Sequence, residues 1–531
     1  MENQKRSTSF YVGGLLTAFL VLTVIQTFPQ SPETIKIRSY VKSHEHSIMD
    51  EFASFLSIPN VAVDTVNLKR NAAFVMEMMR KRNISNIQFL LAKTKGVPPV
   101  IYGDVIVPGA KHSIILYAHY DGQPVNPRDW NGHEPFIPQL FTSTLANHGM
   151  PIPFPVSGTP YDPQWRIYGR STADDKAGIA AILNAYEAVS KNALRLNYNI
   201  KFLFEGEEEA GSAHLSEILE SYSSLLQSDL LIVCDGSVHQ SGKKKISFGV
   251  RGDTHLDLTV YGPNRPLHSG HYGNWAPNPG LMLAKLLASM KDDSGMVTIK
   301  GFYDDVQPLT EKELKAIHEM PDVDQQMKEE LGLAITEMKG KSLTEAIALP
   351  SLNINGMQSG NVGILASNVI PTTAVASLDL RLVMGNDWRR QQEKVIDHIR
   401  LQGYEVIDHE PADAERKQFP KLIKVIRSDN SYNAQRTPIT LPIAKNVIDA
   451  VKSTTNEGVV IEPFMGASLP LYLFEKYLKA NTISVPIANH DNNQHAENEN
   501  IRLFNLFTGI ETMAAVLMMK SSADNHTNPA R

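Results

Sequence analysis

His119 and Asp121 stand two apart at the end of the apolar run ILYAHYDGQPV, residues 115–125. A histidine that binds a metal usually gives its second N–H to a carboxylate, and residues two apart in an extended chain point the same way. The pair therefore suits a metal ligand with its orienting aspartate, although a strand end followed by a turn would read the same. YGRSTADDKAG places Asp174 and Asp175 at the start of a helical pattern, as ligands or as N-caps. FEGEEEAGS carries four glutamates in five positions directly after an apolar strand. Their mutual repulsion needs either an exposed loop or a bound cation to relieve it. LLIVCDGS delivers Asp235, and NHDNNQHAENENI supplies His490 and His495. Two histidines and three carboxylates form a donor set for a pair of borderline cations sharing one carboxylate.

Composition removes several other chemistries. The 531 residues are 42% hydrophobic and 20% charged, and the net charge is -6. No basic field exists for a phosphate backbone, so nucleic acid is not expected as a partner. The one cysteine, Cys234, excludes an intramolecular disulfide and a thiolate cluster, and its apolar setting suits a small core residue. Glycine-rich phosphate loops and nucleophilic serine or cysteine motifs are absent.

The elements that would position these residues read as α/β. Lys5 and Arg6 precede FYVGGLLTAFLVLTVIQTF, 19 residues without a charge. A helix of that length approaches the ~30 Å hydrocarbon core, so residues 1–31 read as a signal-anchor, or as a cleaved signal peptide. The positive flank puts the bulk of the chain outside the cytoplasm, periplasmic or extracellular, and secreted if the segment is cleaved. Residues 32–245 alternate helices, near 45–57, 68–82 and from 174, with apolar strands near 99–107, 113–118, 199–206 and 229–236, as in a sheet covered on both faces. Ligands in such sheets bind at the carboxyl ends of the strands.

From about 246 to 430 alternation of apolar and polar positions marks strands with one wet face. Helices are expected at 277–291 and 387–402, a strand at 374–383, a charged helical insertion near 309–346 read as a solvated face, and an irregular polar stretch at 408–435. Residues 431–520 resume the first domain and end in a helix at 499–519. Residues 521–531 form a polar, disordered tail.

HYDGQPV, DDK, EGEEEAGS, LHSG and QHAENE resemble, in order and spacing over residues 45–520, the di-zinc metallopeptidase family of carnosinases, aminoacylases, carboxypeptidase G and succinyl-diaminopimelate desuccinylase. The carnosinase-like dipeptidase branch is nearest. The resemblance implies an α/β zinc-peptidase-like catalytic domain with an inserted α+β lid that also dimerises. It makes His119 and Asp235 ligands of one Zn2+, Glu209 and His495 ligands of the other, and Asp174 the bridge, with Mn2+ or Co2+ as possible substitutes. Asp121 would orient His119 and Glu208 would be the general base, while Glu207 replaces a residue that is not usually acidic. His490 falls off the motif. His268 in PLHSGHYG would stabilise the transition state from the partner subunit of a homodimer. Asn368 and Arg381 would contact the substrate's amide and carboxylate, and Gly466 and Ser468 in MGASLP would face the substrate.

The implied reaction is hydrolysis of an amide bond in dipeptides or short peptides by a zinc-bridged water. An N-acyl amino acid deacylase or desuccinylase on the same site is the alternative. A non-catalytic membrane-anchored binding protein is expected to have lost ligands, and a scaffold with an acidic calcium-like loop needs no histidines; this chain keeps both.

Overall fold

The computed structural model describes residues 31–521. All but the last residue of the expected signal-anchor and all but the first residue of the expected tail lie outside these residues. Among the described residues, no helix is long and apolar enough to cross a membrane.

An eight-stranded sheet organises the chain around the strands Ser113–His119, Asn199–Glu205, Leu230–Val233 and Asn481–Ser484. These four run parallel, in the order Asn199–Glu205, Ser113–His119, Leu230–Val233, Asn481–Ser484. Period-two geometry explains their apolar composition. Ile114, Leu116 and Ala118 join a core beneath the helices Pro32–Leu56, Lys176–Lys191 and Leu503–Leu517. Ile115 and Tyr117 point the other way, into a second core with Leu219 and Phe474 from the helices Leu215–Ser221 and Tyr472–Leu478. With both faces covered, each such leucine, isoleucine or phenylalanine contributes roughly 1.5–3 kcal/mol by leaving water.

The first helix begins at Pro32, with Ser31 as its N-cap, well before the expected start near 45. Its early turns bury only Thr34, Ile37 and Val41 among polar neighbours, too sparse an apolar face to read from sequence. The final helix starts at Leu503 because Asn500–Arg502 first pairs as a strand with Arg166–Tyr168. That short pairing lays the segment after residue 168 beside the segment before residue 500.

A separate five-stranded sheet is built from Gly252–Tyr261, Ser351–Gln358, Thr373–Leu382, Glu405–Ile407 and Leu422–Arg427. On one face Leu256, Leu258 and Val260 pack with Leu283, Leu286, Val395 and Ile399 from the helices Pro279–Ala288 and Trp388–Leu401. Asp253, His255 and Asp257 alternate onto the other, wetter face. Leu422–Arg427 corrects the irregular reading of 408–435. Its apolar residues are interrupted by Lys424, and what makes it a strand is pairing with Gly252–Tyr261, Val260 opposite Ile423.

The charged insertion also differs from a simple solvated face. Its helices Glu311–His318, Asp324–Glu330 and Leu343–Ile347 are wet outside, but Glu313 is buried and ion-paired with Arg436 at 3.1 Å. Thr310 and Ser342 start two of the helices with capping boxes, satisfying amides that would otherwise be unpaired.

Candidate metal centre

The carboxyl ends of the parallel strands meet at one edge of the large sheet. His119 ends its strand in register with Glu205. Glu208 and Glu209 occupy the single turn just beyond Glu205, and Asp235 lies two residues past Val233. Asp174 precedes the helix Lys176–Lys191, while His495 and Glu499 arrive through the loop before Asn500. Of the paired aspartates it is Asp175 that caps the helix, accepting the Gly178 N–H, and its other oxygen accepts the His119 N–H at 3.2 Å.

His119 is fully buried. Its Nε2 lies 2.9 Å from Asp174 Oδ1 and 3.8 Å from both Glu208 Oε2 and Asp235 Oδ2. The other Asp174 oxygen, Oδ2, is 3.0 Å from His495 Nε2, which is 3.2 Å from Glu209 Oε2. Asp174 therefore spans the two histidines, with Glu208 and Asp235 toward one and Glu209 toward the other. Donor atoms of His119, Asp174 and Glu209 lie within 4.8 Å of one another, as do those of His119, Asp175 and Asp235.

Asp121 has two tasks. Its Oδ1 lies 3.3 Å from His119 Nδ1 and accepts the Glu208 N–H at 3.1 Å, while Oδ2 accepts the Glu209 N–H at 2.9 Å. One carboxylate so fixes both the imidazole and the turn that carries two glutamates. Glu207 points away: it accepts the His214 N–H at 3.0 Å and lies 2.8 Å from His214 Nδ1. His490 is exposed.

Charge strains this arrangement. Burial pushes Glu208 well above the usual carboxylate range, with the charges of Asp235 and Glu209 adding to the rise. Burial and then the charge of Asp174 push Glu209 up to about 7 and Asp235 up to about 6. Burial also opposes the charge on Asp174, yet hydrogen bonds with both histidines hold it below the usual range. Contact with Asp174 chiefly raises His495, to about 9. Two carboxylates less than 5 Å apart repel by about 3–4 kcal/mol at an effective dielectric near 20, a large fraction of a whole domain's stability. Hard oxygen donors with two imidazoles and no thiolate fit zinc, manganese or cobalt, and cations here would turn the repulsion into attraction.

Glu499 is the residue that sequence reasoning misses, since only His495 of QHAENE receives a role there. It is fully buried. It pairs with Arg170 at 2.8 Å and accepts the N–H groups of Ser171 at 2.8 Å, Ala173 at 2.8 Å and Asp174 at 3.0 Å. It thereby holds the loop that presents Asp174. The available signal is a glutamate at the last position of the motif, four residues beyond His495.

The expected lid residues stand apart from the cluster. His268 and Asn368 are both exposed and lie on paired segments, with the Asn368 carbonyl accepting the Ser269 N–H at 2.9 Å. Among the described residues, neither is hydrogen-bonded to or ion-paired with the metal-centre residues. Arg381 Nε lies 3.2 Å from Asp379 Oδ2 and 3.6 Å from Asp253 Oδ1. Ser468 Oγ donates to the Gly252 carbonyl at 3.4 Å. Gly466 lines, with Asp235 and Gln494, a cleft of about 490 Å³.

The model of the family described as "Peptidase family M20/M25/M40" matches residues 115–519. The chain belongs to this peptidase family. It is a metallopeptidase of the dipeptidase type, an α/β enzyme with catalytic and lid parts. Curated relatives include the Cys-Gly metallodipeptidase of Candida albicans, 26% identical over 87% of this chain and 92% of the relative. The human beta-Ala-His dipeptidase is 26% identical over 95% and 97%. Among solved structures, a metallo-carboxypeptidase of the family from Sulfolobus solfataricus superposes with a TM-score of 0.72 at 27% identity, covering 89% of this chain and 98% of that one.

Proposed function

We propose that this metallopeptidase hydrolyses the amide bond of dipeptides or short peptides at a two-zinc centre. The observation that carries the reading is the placement of Asp174 between His119 and His495, with Asp235 and Glu209 on either side. His119 and Asp235 would hold one cation, Glu209 and His495 the other, and Asp174 both. When bound, the cations supply Lewis acidity at the amide carbonyl and lower the pKa of a coordinated water toward ~7.

The chain's own residues do the rest. Glu208, whose Oε2 lies 3.8 Å from His119 Nε2, removes a proton from the attacking water and returns it to the leaving amine. Asp121 keeps Glu208 and His119 in place through the bonds described above. Arg381 takes the substrate's free carboxylate near Ser468, and the dipeptidase names of the relatives support short peptides over N-acyl amino acids.

The full chain loaded with zinc is expected to hydrolyse dipeptides such as Cys-Gly faster than N-acetyl amino acids. Chelation should abolish this turnover and zinc restore it. Turnover untouched by thorough metal removal refutes the centre, and faster cleavage of N-acyl amino acids refutes the substrate assignment.

His268 and Asn368 complete the site only if another copy brings them. Beside them in sequence, Trp275 is 79% exposed, Val362 85% and Leu365 70%, an apolar surface of the kind that marks interfaces. A homodimer through this face would carry His268 to the partner's cluster, where it would stabilise the charge developing on the carbonyl oxygen. In sedimentation equilibrium the full chain should behave as a dimer, and Ile364→Asp, at a fully exposed position, should give monomers with greatly reduced kcat. A wild type that is monomeric and fully active excludes this arrangement.

A further inference from the structure

The cleft beside Asp235 and Gly466 is bounded on its far side by the charged insertion, through Ile317, Met320, Val323 and Ile347. We propose that this wall receives the side chain of the substrate residue on the acyl side of the scissile bond and selects an apolar one. This rests on the peptidase reading above and adds to it the substrate class.

Three observations converge. The cleft opens onto the metal centre, because Gln494 lines it and donates Nε2–H to Asp174 Oδ2 at 3.0 Å. Its volume of about 490 Å³ falls in the range of small-molecule sites. Gly466 and Ala467 line it, whereas Ser468 and Arg381, assigned to the carboxylate end, do not; with the carboxylate held outside the cleft, the acyl-side residue is the one placed to enter it.

The wall is also a built feature. Glu313, itself buried, caps its helix by accepting the Thr310 N–H at 2.7 Å and is ion-paired with Arg436, which ties Ile317 and Met320 to the strand Gln435–Arg436. Across from it, a Cβ added to Gly466 would meet Ile347 Cδ1 at 3.4 Å. Glycine at 466 therefore leaves a gap of about one methyl group against Ile347. Met320 and Ile347 are half-buried: they touch the cleft while still giving up apolar surface to a ligand. A leucine-sized side chain lying against them leaves water, whereas glycine gains nothing there, and methionine adapts to irregular shapes.

The test uses the zinc-loaded full chain with Leu-Gly, Gly-Leu and Gly-Gly. In the Met320→Ser/Ile347→Ser variant the ratio of kcat/KM for Leu-Gly to that for Gly-Gly should fall about tenfold, and the Gly-Leu to Gly-Gly ratio should not. Ile347→Trp, which fills the cleft and keeps its apolar surface, should lower the same Leu-Gly ratio and guards against a folding defect in the double variant. An unchanged Leu-Gly ratio in both variants, or a fall in Gly-Leu instead, overturns the proposal. If the wild type cleaves none of the three peptides, the peptidase reading fails separately. Calorimetric binding of leucine, the acyl-side product, then decides: weaker binding in the double variant upholds the wall, and equal binding overturns it.

Discussion

Replacing Glu208 with glutamine should lower kcat by about 10²- to 10⁴-fold, the usual contribution of a positioned general base, and leave metal content at the wild-type level. Glutamine keeps the volume and the backbone N–H that Asp121 Oδ1 accepts, so the turn and Glu209 stay where they are. What is lost is the oxygen that can take a proton. Asp121 and Glu209 are separate carboxylates with their own partners, and neither can substitute without abandoning them. Metal analysis alongside steady-state kinetics separates the outcomes. Full metal with normal turnover removes Glu208 from the mechanism, and lost metal with lost turnover would make it a ligand.

Glu499→Ala is expected to have the largest effect on stability, about 3–5 kcal/mol, because it leaves Arg170 buried without its partner. Three backbone amides, of Ser171, Ala173 and Asp174, lose their acceptor at the same time. Denaturant unfolding measures the loss, and metal titration should show weaker binding because the loop presenting Asp174 is released. Arg170→Leu/Glu499→Leu should recover only part of the stability: it removes the stranded charge but still leaves the amides unpaired. Complete recovery would mean that the ion pair alone matters. A single variant within 1 kcal/mol of wild type would mean that the loop holds itself.

The residues of the centre can be read from the chain because each follows an apolar strand or precedes a helix, where period-two burial and turn chemistry are local signals. His119, Glu208, Glu209 and Asp235 all lie at or just beyond strand ends, and parallel strands bring such ends to one edge. The choice between Asp174 and Asp175 is not local. Both can cap a helix, and it is the packing of the His495 loop that leaves Asp175 on the helix and turns Asp174 toward both histidines. Glu499 and the second task of Asp121 are hidden for a related reason: their partners are backbone amides, which have no residue-type signature.

Sequence alone pointed to the clustered histidines and carboxylates, the α/β class and the family resemblance, since these depend on residue type, short spacing and periodicity. Only the tertiary structure decided that Leu422–Arg427 is a strand, that Glu313 anchors a charged insertion to Arg436, and that this insertion faces the cleft. Each of these depends on contacts between distant segments: a strand formed by its neighbour's register, an ion pair joining residues more than a hundred positions apart, and a helix whose outer face is charged while its inner edge is apolar.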